Sequence, residues 1–175
     1  MCGIAGIINY QNYDLNKIKE SLFHRGPDSQ SIYKDGNIAF IHTRLSIQDI
    51  AHGQQPLHYK NFSIVFNGEI YNHLELRSKY LKESIFRSQS DTETLLYLYI
   101  KYRDQMFDML DGMFAFAIFD KESNEIVLAR DRTGKKPLYI YKNDSSLLFA
   151  SELNSIKAVA KDLVINEDAI NSYLR

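Results

Sequence analysis

MFAFAIFD, residues 113–120, carries apolar side chains on both of the alternating faces that a strand presents. A strand on a half-wet sheet would alternate apolar with polar, so this one needs a covering layer on each side. EIVLAR (125–130) pairs with it across the four-residue connection 121–124. Upstream, FSIVF (62–66) reads as another strand, running into Asn67-Gly68, and GIAGIIN (3–9) as a buried strand beginning directly after Cys2. Strands at 29–34 and 37–46 flank Asp35-Gly36, a strong hairpin signal. Two more strands, about 138–142 and 147–150, extend the sheet. Helical spacing of Leu15, Ile18 and Leu22 follows a cap at Asp14. Further helices are expected from Asn72 to about Lys82, and from about Thr92 to Tyr102, where Ser90 and Glu93 have capping-box spacing. Short ones follow near Glu152 to Ala160 and Glu167 to Arg175. Together these predict an α+β domain with mostly antiparallel sheets and helices outside them.

A chain of 175 residues fits one domain, in which roughly 70% of the unfolded surface can be buried. Its net charge of −1 comes from interspersed residues of both signs, and the longest basic run is Lys135-Lys136. That excludes a nucleic-acid footprint. No apolar run approaches the ~20 residues of a membrane-spanning helix, and a signal peptide's basic and apolar regions are missing. One cysteine cannot form an internal disulfide, which predicts a reducing, cytoplasmic setting. The five histidines form no H-x-x-x-H or Cys/His cluster, so no metal is expected.

That one cysteine follows the initiator methionine. Methionine aminopeptidases remove Met before small residues, and trimming would leave Cys2 with a thiol and a free α-amine on one residue. An unperturbed α-amine titrates at about 7.7–8.0. It can therefore serve as general base for its own side chain, directly or through a water. Cysteines are also among the most buried residue types, so position alone does not decide between a nucleophile and an ordinary small residue.

MCGIAGI (1–7), HRGPD (24–28), HTRLSIQD (42–49), GQQPL (53–57), FNGEIYNH (66–73) and SDTE (90–93), taken in order, resemble the class II glutamine amidotransferases, which are N-terminal-nucleophile hydrolases. DGMFAFAIFD (111–120), RDRTGKKPLY (130–139) and FASE (149–152) are similar to the asparagine synthetase branch. The resemblance implies a four-layer αββα sandwich, and roles for particular residues. Cys2 would be the nucleophile, with Asn67 and the Gly68 N–H as the oxyanion hole, although Asn-Gly is otherwise a common hairpin turn. Arg44 would take the glutamine α-carboxylate with its guanidinium fork. Asp91 and Glu69 would take the α-ammonium, and backbone atoms of Leu45, Ser46, Ile47 and Gln48 would line the same pocket. The plain alternatives are a surface salt bridge for Arg44 and a helix cap for Asp91. Arg25 to Asp28 would be structural or gating, and Asp131 and Arg132 architectural or facing another domain.

The implied reaction is hydrolysis of L-glutamine to glutamate and ammonia through a glutamyl thioester, with no cofactor. The ammonia would pass to an ATP- and Mg-dependent synthetase, most directly for asparagine synthesis from aspartate. Neither a Walker-type loop nor a Ser-Gly-Gly-x-Asp-Ser loop occurs. The expectation is therefore one glutaminase domain, residues 1–175, with the synthetase domain or subunit outside this chain. The resemblance also implies self-association as a homodimer. Thr133, Lys135 and Phe119 depart from that branch, which leaves the ammonia acceptor open. Rival readings are a glutaminase for a different acceptor, a papain-like Cys/His hydrolase, and a non-catalytic glutamine-binding relative.

Overall fold

The computed structural model describes residues 1–161 and 163–174. Nine strands occur among them: β1 (Gly3–Ile8), β2 (Ser29–Asp35), β3 (Ile38–Arg44), β4 (Leu57–Tyr59), β5 (Phe62–Ile70), β6 (Gly112–Asp120), β7 (Glu125–Arg130), β8 (Tyr139–Lys142) and β9 (Leu147–Ala150). The α-helices are α1 (Leu15–Ser21), α2 (His73–Tyr80), α3 (Asp91–Tyr102), α4 (Leu153–Lys157) and α5 (Glu167–Tyr173). All strand pairings are antiparallel, in a five-stranded sheet ordered β2-β3-β1-β9-β8 and a four-stranded sheet ordered β4-β5-β6-β7.

The two faces of β6 go to different layers, as its composition requires. Phe114, Phe116 and Ile118 join Leu95, Leu96 and Leu98 of α3 and Leu76 of α2 in one cluster. Ala115, Ala117 and Phe119 join Ile4, Phe40, Val65 and Phe149 between the two sheets. On the far side of the five-stranded sheet, Leu15 and Ile18 of α1 and Ile156 of α4 cover Ala5, Ile7, Ile41 and Leu148. The order of layers is helix, sheet, sheet, helix. Each sheet buries both faces, and a side-chain period of two separates the clusters along every central strand.

Four expectations need correction. β8 and β9 extend the five-stranded sheet and not the one containing β6, because β9 pairs with β1 and places Phe149 between the sheets and Leu148 against the helices. β5 does not stop before Asn67-Gly68; it continues to Ile70, held in register by β6 from Gly112 to Asp120. Ser90 does cap α3, accepting from the Glu93 N–H, but the Glu93 carboxylate does not complete the capping box. It accepts from the N–H groups of Arg87 and Ser88 and from the Ser88 hydroxyl instead. The helix near Glu152 to Ala160 is shorter, Leu153–Lys157, and β4 was too short to leave a strand signal. The expected hairpin turn is present, with Gly36 at φ 56°. The Arg175 end of the last expected helix lies outside the described residues. None of the helices described is long and apolar enough to cross a membrane.

Candidate active site

The start of β1, the end of β3, residues 67–69 of β5, the start of β6 and the N-terminus of α3 meet around a cavity of about 110 Å³. Cys2, Arg44, Leu45, Ile47, Gln48, Asn67, Gly68, Glu69 and Asp91 line it. Of the site residues expected from sequence, Ser46 alone does not line it: its N–H is taken by the Asp28 carboxylate at 2.7 Å. Gln48 enters differently from expected. Its carbonyl accepts from Arg44, while its buried side-chain Oε1 has no hydrogen-bond partner.

Cys2 is half-buried, and its thiol donates to the Leu45 carbonyl at 3.7 Å. The Arg25 Nε–H donates to the Cys2 carbonyl at 3.0 Å, and the Arg25 guanidinium is itself fixed by Glu152 at 2.6 Å. The segment 25–28 thus fixes the backbone of Cys2. Through Asp28, it also fixes the loop after β3. This is a positioning role, in line with the structural reading from sequence.

Asn67 is buried, and its Nδ2 has no hydrogen-bond partner. A buried amide donor without an acceptor costs about 1–3 kcal/mol, so it marks a place where an acceptor is missing. Gly68 follows inside the strand. A Cβ there would lie 2.2 Å from the Met113 carbonyl oxygen and 2.8 Å from the Phe114 Cα, so β6 leaves room only for glycine. Gln55, which the sequence did not single out, braces this segment. Its Oε1 accepts from the Phe66 N–H at 2.6 Å, a group beyond the reach of the short β4.

Arg44 is a buried cation whose guanidinium donates to the carbonyls of Gln48, Asp49 and Ile50 at 3.3, 2.8 and 3.1 Å. Among the described residues no carboxylate lies within ion-pairing distance of it, which removes the salt-bridge alternative. Asp91, which lines the same cavity, is buried at the first turn of α3 and its Oδ2 accepts from the Ile70 N–H at 2.9 Å. Burial, its largest influence, pushes the carboxyl up to about 6; the Ile70 N–H pulls it down and Glu69 raises it. Glu69 is exposed at the rim. One cavity is therefore lined by a thiol, an amide donor without a partner, a buried cation and two carboxyl groups.

The glutamine amidotransferase domain model matches residues 1–175. The chain belongs to this family. Relatives of the amidotransferase domain include asparagine synthetase [glutamine-hydrolyzing] 1 of Bacillus subtilis strain 168, 38% identical over 99% of this chain. Asparagine synthetase B [glutamine-hydrolyzing] of Escherichia coli K12 is likewise 38% identical over 99% of this chain. The chain spans 29% and 33% of those two proteins, about a third of their length. Among solved structures, the glutamine phosphoribosylpyrophosphate amidotransferase of B. subtilis matches over 90% of this chain and 43% of its own, with TM-score 0.71 and 23% identity. The structure of the allosteric regulatory enzyme of purine biosynthesis matches with TM-score 0.73 at 24% identity, over 90% of this chain and 43% of that one. These likenesses establish the fold, a four-layer sandwich of two antiparallel sheets between helices.

Asp131 is architectural, as expected. Burial works against its ionisation, but N–H groups of Lys136, Lys135 and Phe114 and the Thr133 hydroxyl hold it well below the usual carboxylate range. The turn so formed aims Lys136 into the cavity, a placement the sequence concealed inside a basic pair. Among the described residues no group of three or more His, Cys, Asp or Glu is arranged to hold a metal ion.

Proposed function

We propose that the domain hydrolyses L-glutamine to L-glutamate and ammonia, with Cys2 as N-terminal nucleophile once Met1 is removed. The observation that carries this reading is the buried Asn67 Nδ2, without a partner, in the cavity that Cys2 lines. Arg44 takes the α-carboxylate, and Asp91 with Glu69 takes the α-ammonium, which leaves the side-chain amide at Cys2. The sulfur attacks the amide carbon while the thiol proton passes to the Cys2 α-amine. Asn67 Nδ2 and the Gly68 N–H stabilise the oxyanion. The α-ammonium then protonates the departing ammonia, and water activated by the same amine hydrolyses the glutamyl thioester. No cofactor enters these steps.

The ammonia passes to an ATP- and Mg-dependent synthetase domain or subunit, and asparagine synthesis from aspartate is the reading its relatives favour. The single cysteine, used as a free thiol, fits a reducing cytoplasm. The test measures intact mass and glutamate release on one sample. Samples lacking Met1 release glutamate, and samples that retain it do not. Folded, trimmed protein that releases none, even with a synthetase partner supplied, would sink the proposal.

Two binding experiments follow, both on the Cys2→Ala variant so that no turnover intervenes. Arg44→Lys keeps the charge but loses the fork, and charge-assisted hydrogen bonds contribute roughly 1.5–3 kcal/mol. Calorimetry is expected to give glutamine binding weaker by about 10- to 100-fold. The second concerns pH. The folded Asp91 holds its proton to about 6, against roughly 3.9 in an unfolded chain. Ionising it therefore costs the empty domain stability as pH rises through that window. Glutamine's ammonium needs the ionised form, so its affinity falls as pH drops through about 6, approaching tenfold per unit. Asp91→Asn is expected to bind weakly with little pH dependence over the same range; a pH dependence as steep as that of unchanged Asp91 would show that another group is responsible.

A further inference from the structure

Lys136 is the cavity's unexplained cation. The residue is almost fully buried, and its Nζ donates to the Met1 Sδ at 2.6 Å. Met1 is the residue whose carbonyl carbon is bonded to the Cys2 nitrogen, and both Met1 and Lys136 line the cavity with Cys2. Among the described residues no carboxylate lies within ion-pairing distance of Lys136. Removal of Met1 takes away the one side-chain partner its Nζ has among them and leaves the ammonium in the cavity that the new terminus at Cys2 also lines.

We propose that Lys136 is a positioning charge for the reaction, an ammonium whose repulsion keeps the Cys2 α-amine unprotonated near neutral pH. The inference rests on the proposed N-terminal-nucleophile chemistry, in which that amine is the base. A cation beside an amine disfavours its protonated form, and a charge within ~4–6 Å moves a titration by about 1–3 units.

The neighbouring charges act in both directions, so the effect of Lys136 is read as a difference between variants. Arg25, from the segment before β2, adds positive charge but is paired with Glu152 from the start of α4. Asp131, at the end of β7, is kept ionised by the N–H groups of its own turn, and its charge opposes that of Lys136. Glu69 of β5 opposes Lys136, but it stands exposed at the rim, where the substrate ammonium is to sit. Asp91, at the start of α3, loses its proton at about 6 and so is a carboxylate near neutral pH, the charge that the substrate ammonium meets. Burial and then Arg25 depress the proton affinity of Lys136 itself, while Glu69, Asp131 and the Cys2 thiol raise it.

The test compares trimmed wild type, Lys136→Met and Lys136→Arg. The acid limb of kcat, which reports the base in the bound complex, is expected to move up by about one unit in Lys136→Met. Lys136→Arg restores it towards wild type. A limb in the same place for all three overturns the proposal.

A second readout needs no turnover. With 13C in the single cysteine and the thiol blocked as a methyl disulfide, the Cα shift follows the α-amine alone. In wild type its midpoint is expected about one unit below the ordinary 7.7–8.0. A wild-type midpoint at or above that range overturns the proposal even if Lys136→Met fails to fold. Absence of glutamate release with a lowered amine midpoint would instead count against the glutaminase reading.

Discussion

Cys2→Ala, trimmed of Met1 and assayed with saturating glutamine, is expected to release no glutamate above background. Loss of the nucleophile in a comparable acyl-transfer site lowers kcat on the order of 10⁶-fold, because no other group can form the covalent intermediate. The substitution removes one sulfur from a half-buried position whose thiol makes only a 3.7 Å contact with the Leu45 carbonyl. Folding should scarcely change, and glutamine binding should persist through Arg44 and Asp91. The measurement is glutamate release with a melting curve and a calorimetric titration on the same sample. Residual turnover within tenfold of wild type would exclude Cys2 as nucleophile. One of the histidines acting on water would then become the leading alternative.

Asn67→Ala is expected to lower kcat by about 10²–10³-fold with KM little changed, the loss typical of one oxyanion donor. Stability gives this prediction its edge. Because Nδ2 is buried without a partner, its removal breaks no bond there and relieves a desolvation cost. The variant should melt at or above the wild-type temperature while turning over slowly. A structural amide would behave the opposite way, with lower melting and kcat intact. The pair of readings therefore separates a donor held ready for a transition state from one that merely ties strands together.

Much of this was legible in the sequence, for physical reasons that differ from part to part. The run MFAFAIFD could only be buried on both faces, so the layer order followed from it. The cluster assignment of Phe116 and Ala117 to opposite layers bears that out. Which sheet received β8 and β9 was not legible, because Leu147 to Ala150 would satisfy either partner and the pairing with β1 is a long-range choice. Asn67-Gly68 carried a turn signal, and the pairing with β6 overrode it. Position-by-position resemblance brought Arg44, Asp91 and Glu69 to one cavity. Ser46 escaped because Asp28 takes its N–H, and Lys136 went unnoticed because a Lys-Lys pair reads as solvated charge until the Asp131 turn is seen to direct one member inward. Gln55 was equally silent, since its task is to satisfy a backbone group that only the short reach of β4 leaves open.

The alternation along β6 also fixes what kind of variation the domain can absorb. A change of one side chain for another of similar bulk is a local matter for a single layer. An inserted or deleted residue is not, since it would turn every following side chain to the opposite face. Phenylalanines would be driven into a space between sheets now filled partly by Ala115 and Ala117, and alanines would be left against α3. This strand is expected to accept substitutions of similar bulk far more readily than a change in its residue count, so that changes of chain length fall in the connections.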